Sequence, residues 1–77
     1  MFFFFFFFDD PFVERLTQAM EKQDLTPETL ALRTGVSLAT VHRWLDGTYK
    51  PRFVNLPKVA HVLNVSTDYL HGKDDLF

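Results

Sequence analysis

Between Thr26 and Gly47 the chain reads TPETLALRTGVSLATVHRWLDG, and no other stretch constrains the fold as tightly. It contains two helix starts and two helix stops. Thr26 is a good N-cap, because its hydroxyl can accept from a free backbone N–H of the first turn. Pro27 follows at the first helical position, where a missing N–H costs nothing. Leu30 and Ala31 lie on one face of that helix. Gly35 closes it by taking the left-handed conformation that ends helices. Val36 can fold back onto the helix just finished, and Ser37 restarts the chain as a second N-cap. Val41, Trp44 and Leu45 then recur at helical spacing, and Gly47 stops the second helix. The stretch therefore predicts two short helices joined by a tight turn, with Trp44 largely buried.

The order of Leu30, Ala31, Gly35, Val36, Val41 and Trp44 resembles the helix-turn-helix of the lambda-repressor-like (Cro-type) family. A small Ala lets the second helix cross close to the first, the Gly permits a turn of a few residues, and the aliphatic and aromatic residues fix the crossing from inside. The resemblance extends over roughly Phe12 to Gly72. It implies an all-α fold of five short helices and a sequence-specific double-stranded DNA-binding domain of a transcriptional regulator. A phage or bacterial repressor acting by operator occupancy is the leading form. An antitoxin-type autoregulator is an alternative, as is a protein-interaction module that kept the fold without binding DNA.

The rest of the chain fits five helices. Asp10-Pro11 opens the first, with Asp10 as N-cap, and Phe12, Leu16, Ala19 and Met20 form an apolar stripe that runs out near Gln23. After Gly47 a loop, TYKPRFVN, leads to a fourth helix whose buried face is Leu56, Val59, Ala60 and Leu63. An interior proline would lose a hydrogen bond and clash with the preceding turn, so Asn55 is expected to cap this helix, with Pro57 in its first turn. Asn64-Val65-Ser66 repeats the pattern of Gly35-Val36-Ser37. A short fifth helix carries Tyr69 and Leu70 and ends at Gly72, and residues 73–77 read as a tail. Residues 1–9 are dominated by seven consecutive Phe residues without helical or strand period. They read as an artefact or a disordered arm and take no part in the fold argument.

In the family, the N-terminal part of the second motif helix meets base edges in the major groove. By position the base-contacting candidates are Ser37, Leu38, Ala39, His42 and Arg43. Arg43 suits direct readout, since a guanidinium can donate two bonds to guanine O6 and N7; the alternatives are a solvated side chain or a pair with Asp46. Leu38 and Ala39 cannot hydrogen-bond a base but can touch a thymine methyl, whereas Leu38 could instead pack on the turn. His42 could reach a phosphate or a base, or stand exposed. Thr40, Tyr49, Lys50 and Arg52 are the phosphate-contacting candidates. Many relatives carry a Gln directly after the Thr cap, where it grips a phosphate; Pro27 stands there in this chain and removes that clamp.

A net charge of −2 argues against a polyanion partner until its distribution is read. From Arg33 to Lys58 five cations (Arg33, Arg43, Lys50, Arg52 and Lys58) face one anion, Asp46. Positive charge thus gathers on the second motif helix and the loop after it, as phosphate contact requires. His42, His61 and His71 lack metal-ligand spacing and no nucleophile–base set is visible, so neither catalysis, a metal nor a cofactor is expected. With no Cys and no apolar run that could span a bilayer, a cytoplasmic protein is expected. One recognition helix reads few base pairs, so a homodimer on a palindromic operator is expected, its contact small or supplied by a C-terminal segment or protein partner outside these 77 residues.

Overall fold

The computed structural model describes residues 11–73. The Phe-rich run, the proposed Asp10 cap and the tail beyond Lys73 lie outside them. Among the described residues there are five helices and no strand: α1 Phe12–Lys22, α2 Pro27–Thr34, α3 Leu38–Leu45, α4 Leu56–Leu63 and α5 Thr67–Leu70.

Three joints between helices share one construction. Each begins with a left-handed residue, continues with an apolar residue and ends on a hydroxyl cap. At the first joint Asp24 (φ +57°) is followed by Leu25 and Thr26. At the second, Gly35 (φ +80°) is followed by Val36 and Ser37, and at the third, Asn64 (φ +59°) by Val65 and Ser66. In each, the amide of the apolar residue reaches back to the helix just ended: Leu25 N–H to Met20 O (2.9 Å), Val36 N–H to Ala31 O (3.2 Å) and Val65 N–H to Ala60 O (3.0 Å). This bond satisfies a carbonyl that the helix end leaves open. The hydroxyls then cap the next helix, accepting from Thr29 N–H, Thr40 N–H and Tyr69 N–H respectively. Leu25, Val36 and Val65 pack against the core from the joints.

The core is the sum of the expected stripes. Phe12, Leu16, Ala19 and Met20 from α1 meet Leu30 and Ala31, Val41 and Trp44, Val59, Ala60 and Leu63, and Tyr69 and Leu70. Trp44 is 2% exposed, as its position in the motif required. Thr34, the buried polar residue of α2, is satisfied by donating to Leu30 O at 2.7 Å. α3 packs on α2 and α1, and α4 on α2 and α5. α5 returns to α1, where the Tyr69 hydroxyl donates to Gln18 Oε1 (3.1 Å) and Arg15 lies 4.7 Å over the Tyr69 ring. Beside this contact Gly72 (φ +81°) passes so near Pro11 that a Cβ at residue 72 would sit 2.5 Å from Pro11 Cγ.

Two local expectations need correction. Pro11 stands in the position before α1 and not at its first residue, and Pro11 O accepts from Arg15 N–H. α3 ends at Leu45 with Asp46 after it, and Gly47 takes the left-handed conformation (φ +84°) that stops the helix, as expected. Asn55 does precede α4, with Pro57 in the first turn, but its side chain caps nothing. The reason is the turn over residues 52–55: Asn55 N–H and Leu56 N–H both donate to Arg52 O, which leaves Asn55 with helical dihedrals. A capping side chain needs the extended backbone that Thr26, Ser37 and Ser66 have.

Candidate nucleic-acid interface

Burial of Val41 and Trp44 turns the opposite side of α3 outward. Ser37, Leu38, Ala39, His42 and Arg43, the five base-contacting candidates, are all exposed on that outer side. Leu38, 37% exposed, opens the helix without joining the residues packed against the core. Thr40 is half-buried, while Tyr49, Lys50 and Arg52 stand exposed on the following loop.

The loop folds back along α3. Its return is anchored by Tyr49 N–H donating to Arg43 O at 3.2 Å. An open groove of about 660 Å³ results, lined by Ser37, Thr40 and Arg43 from the helix side, Tyr49, Lys50 and Arg52 from the loop, and Val36, Trp44 and Asn55. The fold thus brings together two of the base candidates and all four phosphate candidates. Leu38, Ala39 and His42 remain outside the groove, on the exposed side of α3.

Hydroxyl and charge partners within the site limit what each group can still do. Ser37 Oγ accepts from Thr40 N–H at 3.1 Å and lies 2.9 Å from Thr40 Oγ1, so these two hydroxyls are partly used by each other. The Asp46 carboxylate accepts from Thr48 N–H (2.8 Å) and from the Thr48 hydroxyl. Those two bonds hold its pKa below the ordinary aspartate value, with smaller help from the charges of Arg43 and His42. Asp46 is therefore committed to the turn that starts the loop. Arg43 instead sets its guanidinium 5.8 Å from the centroid of the Tyr49 ring. A cation over an aromatic face is weakly attracted and keeps its planar N–H edge available.

Two features were missed in the sequence. Tyr49 supports Arg43, a pairing six residues apart that exists only because the chain reverses after Asp46. The second is a corner of bare apolar side chains, Phe53 (92% exposed) and Val54 (62%), at the edge of the groove. No Asp or Glu occurs between Gly47 and Thr67, so the loop that carries this corner has positive charges only. Among the described residues no group of three or more His, Cys, Asp or Glu could hold a metal ion, and no helix is long and apolar enough to cross a membrane.

Residues 16–70 match the family described as Helix-turn-helix. Over 61 residues the chain is 39% identical to an uncharacterised HTH-type transcriptional regulator of Haemophilus influenzae, which covers 79% of this chain and 25% of that protein. The chain thus spans about a quarter of the length of that relative. Among solved structures, the P22 c2 repressor in complex with a synthetic operator superposes with a TM-score of 0.76 at 27% identity, over 82% of this chain and 96% of that one. The restriction-modification controller protein C.AhdI of Aeromonas hydrophila gives 0.71 at 29% identity, over 77% and 89%. A transcriptional regulator from Listeria innocua gives 0.75 at 25% identity, over 90% and 64%.

Proposed function

From the premise that the chain belongs to the helix-turn-helix family, we propose that it is the sequence-specific, double-stranded DNA-binding domain of a transcriptional regulator, acting as a repressor by occupying its operator. The observation that carries this reading is the groove between α3 and the returning loop. There Arg43, Lys50 and Arg52 converge beside a helix whose whole outer side is free of core contacts.

Placed in the major groove, α3 presents its first two turns to the base edges. Arg43, held over Tyr49, donates two bonds to the O6 and N7 of a guanine. Leu38 and Ala39 offer methyl groups to a thymine methyl, and His42 flanks them. Lys50 and Arg52 meet phosphates, which sets register without reading sequence. The Ser37 and Thr40 hydroxyls, joined to each other, present one shared donor to the backbone. Pro27, at the first position of α2, contributes no amide, so the loop carries the phosphate contacts. Two copies on a palindromic site, half-sites about one helical turn apart, extend the sequence that is read. Occupancy alone blocks transcription, so the reading needs no cofactor and places the protein in the cytoplasm with the DNA.

The deciding experiment is a titration of the chain against random-sequence DNA at low and moderate salt, followed by selection of a preferred site. Binding that weakens steeply with salt, and a selected site containing guanine and thymine, are expected. Absence of any salt-dependent binding would replace this reading with a protein-interaction module.

A further inference from the structure

The turn over residues 52–55 has both ends in the groove, because Arg52 and Asn55 line it. Its corner residues, Phe53 and Val54, are the two bare apolar side chains described above. Burying a Phe ring is normally strongly favourable, so one held 92% exposed on a short, hydrogen-bonded turn at the edge of the groove offers apolar surface to whatever occupies that groove. Two observations indicate what does. Lys50 and Arg52 line the groove beside this corner, so a second copy docking through this turn would set like charges against each other. The area is also too small for a stable protein contact. Two such side chains present on the order of 300 Å², against roughly 800 Å² contributed by each partner in an ordinary interface. DNA supplies both what the cations and what the ring require, since apolar sugar and base-edge surface lies directly beside its phosphates.

We propose that Phe53, with Val54 behind it, is a non-ionic DNA contact: the ring lies against the sugar-lined wall of the minor groove, next to the phosphates met by Lys50 and Arg52. The inference rests on the DNA-binding reading. A segment that leaves α3 in the major groove and crosses the backbone meets the minor groove next, and apolar side chains at that place are a recognised way of holding a duplex. The contact adds affinity with little dependence on salt, because it displaces water and not counterions.

Phe53→Ala tests this without threatening the fold, since the ring supports nothing inside it. Affinity is measured across a salt series on a mixed-sequence duplex, on a duplex carrying one selected half-site and on one carrying two. The expected result is an affinity about five- to tenfold lower on all three, with the slope of log K against log salt unchanged. Lys50→Ala, in contrast, lowers that slope by about 0.9. Unchanged affinity of Phe53→Ala, or a changed slope, overturns the proposal. A loss confined to the two-half-site duplex also overturns it, in favour of a contact between copies. Wild-type protein that binds no DNA removes the underlying reading together with this one, whereas wild-type binding beside an indifferent Phe53→Ala removes this one alone.

Discussion

Gly72 and Gly35 offer a controlled measurement of the contact that closes the domain. Their backbones are nearly identical, at φ +81° and +80°, but their surroundings differ. A Cβ on residue 35 meets nothing within 4 Å, while one on residue 72 meets Pro11 Cγ at 2.5 Å and Cδ at 2.9 Å. Gly35→Ala therefore reports the left-handed backbone alone, a cost of about 1–2 kcal/mol. Gly72→Ala bears that same cost and must also displace the ring. Because a pyrrolidine ring cannot rotate away like a flexible side chain, the extra term should be that of an overpacked site, about 1–3 kcal/mol. In a domain of this size each kcal/mol moves the midpoint by roughly 4–8 °C. Thermal melts followed by circular dichroism should thus place Gly72→Ala about 4–24 °C below Gly35→Ala. Adding Pro11→Ala to Gly72→Ala should recover most of the difference. Equal melting of the two single variants, or no recovery in the double, would show that Pro11 yields freely and that the α1–α5 end is not tightly closed.

Trp44→Ala should cost about 3–5 kcal/mol, most of the stability of so small a domain; a variant melting within a few degrees of the parent would contradict the burial of Trp44. Arg43→Ala should lose discrimination at one base pair by about 1–3 kcal/mol, while Lys50→Ala weakens all DNA alike; equal losses on specific and non-specific duplexes for Arg43→Ala would refute its role. The lowered pKa of Asp46 means that its bonds to Thr48 stabilise the fold fully above the ordinary aspartate range. That contribution fades as pH falls through the lowered folded value, and an NMR titration in which Asp46 behaves like an unstructured peptide would remove it. Sedimentation of the free chain at micromolar concentration should show mainly monomer, with two copies recruited by a palindromic site; a stable free dimer would overturn that expectation.

Much of this architecture could be read directly from residue types. Hydroxyl caps at Thr26, Ser37 and Ser66 and left-handed Gly35 and Asn64 each announce themselves locally, because the physics they express spans only a few residues. Asp24 was not foreseen as the third left-handed residue. Aspartate tolerates that conformation without demanding it, so the repeat shows only once Leu25 is seen bonding back to Met20. Asn55 failed as a cap because the preceding residues fold into a turn, which the sequence of that loop does not reveal. At the candidate site, the exposure of Arg43 followed from helical periodicity and the burial of Trp44. Its Tyr49 support and the bare Phe53–Val54 corner depend on the path of the loop, set by the Asp46–Thr48 bonds and the anchor from Tyr49 N–H to Arg43 O.

The three repeated joints also bear on how the chain reaches this structure. Each joint is decided within a few residues, so the directions of α2, α3 and α5 can be set before distant parts of the chain meet. A contact between residues 51 apart, Tyr69 with Gln18, must wait for the whole domain to close. Topologies dominated by such local decisions fold on the microsecond-to-millisecond scale. α1 against α5 should then be the last seam to form and the first to open, a sequence of events that native-state hydrogen exchange reads as lower protection in α5 than in α2. A chain emerging from the ribosome can accordingly set its first two joints while Tyr69 is still unmade.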